Sequence, residues 1–187
     1  TVVTMALRYV DEVICIDDGS SDSSARIAEA CGATVIRHRG NQGYGAALKT
    51  LFKSTRDSDA DILVVLDSDG QHDTADIPKL IQPILDEEAD FTIGSRFVEG
   101  GEGNDMPAYR RLGIKVITAA SNLTSDLGIK DTQSGFRAFS RKAIDRLRFD
   151  ADGMELSLEM LEDAKEKQLN IQETVSYTHL RAHETAD

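Results

Sequence analysis

Basic residues, long apolar runs and cysteines are all scarce in this sequence. The 187 residues include 21 lysines and arginines against 33 acidic residues, which gives a formal net charge of −12. Nucleic-acid binders need a basic surface, so this charge balance argues against a nucleic-acid partner. No apolar run reaches the roughly 18 residues of a membrane-spanning helix, and no signal-peptide pattern is present. We therefore expect no membrane-spanning segment, although docking on a membrane surface stays open.

The two cysteines show no spacing typical of metal ligands. Cys15 falls in an apolar strand pattern, and Cys31 falls at the end of a predicted helix. Both are most simply interpreted as buried thiols, which behave as small apolar side chains. Such thiols fit a reducing compartment, and we expect the chain to be cytoplasmic.

Strand and helix patterns alternate along the chain. Apolar runs predict strands at residues 13–16, 34–37, 62–66, 91–93, 136–139 and 170–175. Helical periods lie between most of these runs, including an apolar stripe over residues 109–127 that follows a glycine-rich loop at 98–107. The alternation predicts an α/β fold, a doubly wound and mostly parallel sheet with helices on both faces. We expect a single domain over residues 1–175.

Both ends of the chain depart from this pattern. Residues 1–9 have a helical pattern without a start signal, and we expect a strand to precede them. Residues 176–187 show neither a helical nor a strand period, and we expect them to be non-native or disordered. Metal binding by His179 and His183 is the alternative, but a frayed tail cannot preorganise ligands.

Two aspartates follow the strand predicted at residues 62–66. Asp67 and Asp69 flank Ser68, and Gln71 lies two residues further on. Ligands of open α/β sheets bind at the carboxyl ends of strands, and two aspartates in one turn can share a divalent cation. A solvated turn is the common interpretation of an isolated Asp-x-Asp pattern. The remaining motifs favour a cation site that holds a nucleotide diphosphate.

A second acidic turn, Asp17 to Asp22, follows the first predicted strand and opens a helix. Ser20 or Ser21 is the expected cap of that helix, but capping leaves the neighbouring Asp17 and Asp18 unexplained. We therefore expect at least one of the two carboxylates to contact a ligand. Small residues around Gly43 allow either close approach of a ligand or tight helix packing.

Arginines are concentrated beyond the strand at 91–93. Arg96, Arg110 and Arg111 would place cations near the same sheet edge in an otherwise acidic chain. Guanidinium groups match phosphate oxygens, so an acceptor that carries a phosphate is expected there. Asp131 and Arg137 flank a glycine-containing turn and resemble the wall of a site.

Five segments carry these residues: ICIDDGSSD, NQGYGAAL, LVVLDSDGQH, IGSRF and DTQSGFRAF. In this order and spacing they resemble family 2 glycosyltransferases of the GT-A fold, in particular dolichol-phosphate mannosyltransferase-like and polyprenyl-phosphate glycosyltransferases. The resemblance covers about residues 1–177. It implies inverting transfer of a sugar from a UDP- or GDP-linked donor, with Mg²⁺ or Mn²⁺, to a polyprenyl or dolichyl phosphate. The reaction would take place at the cytoplasmic face of a membrane, with peripheral contact.

The resemblance also implies a role for each candidate residue. Metal binding falls to Asp67, Asp69 and Gln71; nucleotide-sugar binding to Asp17, Asp18, Gly43, Asp67, Ser68 and Gln71; acceptor-phosphate binding to Arg96, Arg110, Arg111 and Arg137; and catalysis to Asp69, Arg96 and Asp131. Asp131 would be the general base if the acceptor is an alcohol, whereas a phosphate acceptor is already an anion.

The sequence also departs from the family pattern. The usual first strand with its Pro-x-Tyr-Asn-Glu-like motif is missing, and without tryptophan the chain lacks the Gln-x-x-Arg-Trp motif of processive synthases. The alternatives are transfer to a protein, glycan or other alcohol, a nucleotidyltransferase, and a nucleotide-sugar-binding fragment without turnover.

Overall fold

The computed structural model describes residues 1–95, 129, 131–151, 153 and 155–176. The helices are α1 (Val2–Ala6), α2 (Ser24–Ala30), α3 (Tyr44–Arg56), α4 (Ile77–Leu85), α5 (Arg141–Arg146) and α6 (Leu156–Glu166). The strands are β1 (Ile14–Asp17), β2 (Thr34–Arg37), β3 (Ile62–Val65), β4 (Phe91–Ser95), β5 (Arg137–Ser140) and β6 (Ile171–Val175). The predicted strands are confirmed to within about two residues. The predicted loop at 98–107, helix at 109–127 and tail beyond residue 176 lie outside the described residues.

The strands form two sheets. β1 and β2 pair in parallel, and the second sheet has the order β3-β5-β4-β6. β4 and β6 are parallel, whereas β5 runs antiparallel to both β3 and β4. The α/β prediction with parallel strands is confirmed, but the direction of β5 was not predicted. The chain leaves β4 and enters β5 at the same edge, where the Gly94 amide donates to the Phe136 carbonyl (2.8 Å).

Helices cover both faces of the four-stranded sheet. Successive residues of a strand point to opposite faces, so Leu63 and Val65 pack with α3, α5 and α6, whereas Ile62 and Val64 pack with α4 and α1. The larger core contains the aromatic pairs Phe52–Phe139 and Phe91–Phe139, with ring centroids 5.0 and 4.5 Å apart. Because helices pack on both faces of the sheet, the predicted doubly wound arrangement is confirmed.

Helix α3 connects the two sheets. Within the described part of the chain, no strand pairing joins β1–β2 to the four-stranded sheet. α3 packs on β1, and its Leu48 and Phe52 lie in the core of the four-stranded sheet. The way in which α3 is held therefore helps to set the relative position of the two sheets.

The helix starts differ from the sequence predictions. α2 begins at Ser24, with Ser23 at its N-cap and no side-chain cap bond, so neither Ser20 nor Ser21 caps it. The reason is that the Ser20 amide donates to Asp17 Oδ1 (2.9 Å), which draws Ser20 into the preceding turn. The prediction that the first helix has no start signal was also wrong, because the Thr1 hydroxyl accepts a hydrogen bond from the Thr4 amide and caps α1.

Candidate active site

The acidic turn after β3 meets the loop before β5. A Cβ atom built on Gly135 would lie 2.5 Å from Asp67 Oδ2, well inside van der Waals contact. A side chain at position 135 would therefore displace the Asp67 carboxylate from its place against this loop. The loop itself is fixed to β4, because the Ser134 hydroxyl donates to the Gly94 carbonyl at 2.6 Å. The structure thus brings together the predicted residues Asp67 and Asp131–Arg137.

Asp67 lies exposed at the edge of the sheet, yet neighbouring protein atoms crowd its carboxyl group. Partial desolvation raises the pKa of Asp67 above its ordinary value, the charge of His72 opposes that shift, and the charge of Asp69 adds to it. His72 in turn stacks on Phe136, with ring centroids 5.3 Å apart. The ionised form of Asp67 is therefore disfavoured, and a cation would relieve this cost.

The turn itself is closed by Asp69. Its Oδ1 accepts from the Gln71 amide at 2.9 Å, which fixes the backbone between the two residues. Asp67 and Asp69 offer carboxylate oxygens, the ligands that Mg²⁺ and Mn²⁺ prefer. Within the described ranges, no group of three or more His, Cys, Asp or Glu side chains is arranged so that the protein alone could hold a metal ion. Two carboxylates suit a cation that takes its remaining ligands from substrate phosphates.

Asp17 ends β1 in a buried position. Its Oδ1 accepts from the Ser20 amide, and its Oδ2 lies 2.9 Å from Arg37 Nε without a well-aligned hydrogen bond. The hydrogen bond from Ser20 lowers the pKa of Asp17, and the charge of Arg37 adds to the effect. Asp17 is therefore ionised at neutral pH and holds its own turn.

Asp18 binds the loop that precedes α3. Its Oδ1 lies 2.7 Å from His38 Nδ1 and accepts from the Gln42 amide at 2.9 Å, and its Oδ2 accepts from the Gly43 amide at 2.8 Å. The bond with His38, followed by that from Gln42, lowers the pKa of Asp18. Gly43 has a φ of 94°, a left-handed conformation that favours glycine.

Arg137 and Asp131 are both buried beneath the site. The Arg137 guanidinium donates to the carbonyls of Ser134 and Thr132, both at 2.8 Å. Burial lowers the pKa of Arg137, and the nearby charges of Tyr44, Asp131 and Asp67 oppose that shift. The Asp131 side chain has no exposed surface, and its amide donates to Glu173 Oε1 at 2.8 Å. In this structure Arg137 holds the loop, and its role toward an acceptor phosphate stays a prediction.

Three predicted site residues, Arg96, Arg110 and Arg111, lie outside the described residues. Two further residues belong to the neighbourhood but were not singled out from the sequence. Tyr44 begins α3 and experiences the charges of Arg137 and Asp67, although burial is the main reason why its pKa is raised. His38 binds Asp18. A single histidine in a loop has no periodic signal, and only the spacing of the NQGYGAAL motif points to Tyr44.

The α/β sheet with paired aspartates after β3 is the arrangement expected of a glycosyltransferase of the GT-A fold. Residues 3–148 match the sequence profile described as glycosyl transferase family 2. The chain belongs to this family and is a glycosyltransferase, as the motifs predicted.

Two relatives and one solved enzyme show the range of similarity. The UDP-N-acetylglucosamine–dolichyl-phosphate N-acetylglucosaminyltransferase of Methanococcus voltae is 33% identical over 182 residues, which cover 87% of this chain and 72% of the relative. The dolichol-phosphate mannosyltransferase of Pyrococcus furiosus is 32% identical over 156 residues, 80% of this chain and 43% of the relative. The chain thus spans less than half the length of the second enzyme.

A crystal structure of Mycobacterium tuberculosis glucosyl-3-phosphoglycerate synthase shares the fold. Its TM-score is 0.74 at 23% identity, over 98% of this chain and 68% of that one. Another structure of the same enzyme, with a TM-score of 0.69 at 25% identity over 98% and 67% of the two chains, contains Mn²⁺, uridine-diphosphate-glucose and phosphoglyceric acid. Among the residues described for the present chain, no helix is both long enough and apolar enough to cross a membrane.

Proposed function

We propose that this glycosyltransferase moves a sugar from a nucleotide-diphosphate sugar to a polyprenyl or dolichyl phosphate, with Mg²⁺ or Mn²⁺. The observation that carries the proposal is the desolvated Asp67 carboxylate, adjacent to Asp69 and admitted to the loop before β5 by Gly135. A carboxylate at a strand end that neighbouring protein atoms desolvate is suited to a cation and its phosphate ligands.

The donor site uses both acidic turns. Asp67 and Asp69, with Gln71 beside them, would hold the cation, which would neutralise the negative charge of the departing diphosphate. Asp17 or Asp18 would contact the base and ribose, with Gly43 and Ser68 lining the path between the two turns. The protein would keep the carboxylate oxygens of the two turns at a fixed spacing. A donor held in the correct orientation reacts faster because the entropy cost of orienting it has already been met on binding.

Charge and burial both favour a phosphate over an alcohol as the acceptor. A lipid phosphate is already an anion, so the attacking oxygen needs no general base, and Arg96, Arg110 and Arg111 would hold the phosphate group. An alcohol acceptor would need a reachable base. Asp131, the candidate for that role, is completely buried and its backbone is held by Glu173. This burial favours the phosphate acceptor, as does the dolichyl phosphate in the names of the two relatives.

A polyprenyl phosphate is embedded in a bilayer, so the reaction would take place at a membrane surface, and we place the enzyme at the cytoplasmic face by peripheral contact. The overall negative charge of the chain does not oppose this arrangement, because contact with one lipid headgroup needs only a local cluster of arginines.

The donor site is tested by calorimetric titration with UDP- and GDP-sugars, with and without Mn²⁺. We expect Mn²⁺-dependent binding of one donor, and its loss in Asp69→Ala. Asp59→Ala is the matched control, because Asp59 is an exposed aspartate without a hydrogen bond or ion pair in the described part of the chain. Equal binding by Asp69→Ala and the wild-type chain would contradict the proposed metal site.

The acceptor is tested with a radiolabelled donor and three acceptors: undecaprenyl phosphate in detergent, undecaprenol, and phosphoglyceric acid. We expect label only in the polyprenyl-phosphate product, and its loss in Arg96→Ala while donor binding is retained. Transfer to the alcohol or to phosphoglyceric acid, but not to the lipid phosphate, would support the alternative class of acceptors and refute the first.

A further inference from the structure

His38 lies between two elements that it connects by side-chain hydrogen bonds. Its Nδ1 is 2.7 Å from Asp18 Oδ1, and its Nε2 is 2.8 Å from Thr50 Oγ1. Only 9% of the His38 side chain is exposed. A nearly buried imidazole with both nitrogens bonded has one favoured orientation, so it links Asp18 and Thr50 rigidly.

These bonds form a closed ring around the start of α3. Asp18 follows β1, His38 follows β2, and Thr50 lies in the middle of α3. The Asp18 carboxylate also accepts from the Gly43 amide at the N-cap of α3. α3 is therefore attached to the β1–β2 sheet at two points, its first residue and its second turn. Both attachments pass through the Asp18 carboxylate.

The other side of α3 is fixed to the four-stranded sheet. Leu48 and Phe52 are buried in the large core, and the Phe52 ring meets Phe149 edge to face at 5.0 Å. Tyr44, at the first position of α3, packs against this core. One end of the helix thus lies close to Asp18, and its side packs within the half that carries Asp67.

A donor that bridges the two acidic turns requires a fixed distance between Asp18 and Asp67. No strand pairing among the described residues sets that distance, and α3 contacts both β1 and the core of the four-stranded sheet. We propose that His38 is a positioning residue of the donor site, which holds Asp18 and the first turn of α3 in register with Asp67. This inference rests on the proposed function, because it presupposes a donor that contacts both turns.

The inference is tested by a double-mutant cycle on donor affinity, with His38→Ala, Thr50→Val and both changes together. His38→Ala should weaken donor binding about tenfold, because the donor must then order Asp18 and the start of α3 when it binds. Thr50→Val removes a neutral bond and should weaken binding about fivefold. Because both changes break one chain of bonds, the double variant should bind no more weakly than His38→Ala. We expect KM for the donor to rise while kcat changes little.

Thr92→Val is the matched control for general destabilisation. The Thr92 hydroxyl donates to the Leu80 carbonyl at 2.7 Å within the four-stranded half, away from the ring. This change should lower the melting temperature as much as Thr50→Val but leave the donor Kd unchanged. Wild-type affinity in His38→Ala, or equal weakening in Thr92→Val, would overturn the inference.

Amide hydrogen exchange at Gly43 separates this inference from the proposed function. We expect faster exchange of the Gly43 amide in His38→Ala than in the wild-type chain, without any ligand. A wild-type chain that binds no donor would refute the proposed function, and the exchange rate would still decide whether His38 holds the start of α3. Unchanged exchange in His38→Ala would overturn the positioning role even if donor binding is present.

Discussion

The two acidic turns of the molecule compensate their negative charge in opposite ways. Asp17 and Asp18, after β1, accept hydrogen bonds from the backbone and from His38, and these bonds lower the pKa of both carboxyl groups. Asp67, after β3, receives no comparable set of donors, and desolvation raises its pKa. The same residue type at the same kind of strand end is thus held in place by internal hydrogen bonds in one half and has no comparable set of donors in the other.

This difference suggests that the turn after β1 contributes mainly to stability and the turn after β3 mainly to function. A carboxylate satisfied by the protein contributes to folding, because its ionised form is favoured in the folded state. A carboxylate left desolvated and uncompensated reduces stability, and proteins tolerate such groups mainly at functional sites. The turn after β3 is therefore the better candidate for the reacting end of the donor.

The largest effect is expected from Asp67→Asn. Loss of the proposed metal-binding carboxylate should lower the transfer rate by a factor of about 10² to 10⁴, a range typical of groups that stabilise developing charge. The melting temperature should stay the same or rise, since the amide removes a disfavoured charge. Steady-state transfer rates and thermal unfolding of the same preparation measure both quantities. A fall in melting temperature with activity retained would reverse the assignment of the two turns.

Gly135→Ala tests the contact that admits Asp67 to the site. A Cβ atom at this position would collide with Asp67 Oδ2, so either the carboxylate or the loop must move. A displacement of about 1 Å near reacting groups can reduce the rate roughly 100-fold. Gly40→Ala is the control, because a Cβ atom there would meet nothing within 4 Å. Equal rates for the two alanine variants would show that the contact is unimportant for transfer.

Much of this arrangement is predictable from sequence because it depends on local patterns. The apolar run that ends at Leu66 correctly predicts the end of β3, and the aspartates beyond it predict a cation site at the same place. The direction of β5 is different, since it depends on where the chain re-enters the sheet after β4, and no local pattern records that.

The roles of single polar residues were harder to predict for the same reason. The prediction that Ser20 or Ser21 caps α2 was wrong because the Asp17 carboxylate accepts the Ser20 amide and draws Ser20 into the turn before the helix. Whether a serine in such a segment caps a helix or joins a turn is decided only in the folded chain. The inward direction of Arg137 depends on the carbonyls of a loop that lies next to it only after folding. His38 has no signal at all until β1, β2 and α3 are assembled.

Acid should affect the two turns with opposite sign. The folded-state pKa of Asp18 is lowered, so its contribution to stability is present above the ordinary carboxyl value of about 3.9 and is lost as the pH falls through the folded value. The folded-state pKa of Asp67 is raised, so protonation of this group stabilises the fold as the pH falls through that value, and the gain is complete below the ordinary value. Unfolding curves from pH 7 to pH 2 should therefore show a smaller acid-induced loss of stability in Asp18→Asn than in the wild-type chain, and a larger loss in Asp67→Asn. Parallel curves for all three proteins would show that the pKa of neither carboxyl group differs between the folded and unfolded states.

The smallest effect is expected from Arg37→Ala. The Arg37 side chain is 55% exposed although its partner Asp17 is buried, and we expect the pair to contribute little because water and salt screen the guanidinium end. The melting temperature should fall by roughly 2 °C or less, and the difference from the wild-type chain should shrink in 0.5 M NaCl, which calorimetry can measure. Asp17 keeps its bond from Ser20 in this variant, so donor affinity should not change. A large loss of stability that persists in high salt would mean that Arg37, rather than the backbone, compensates the charge of Asp17. The contrast between the two turns would then rest on Asp18 alone.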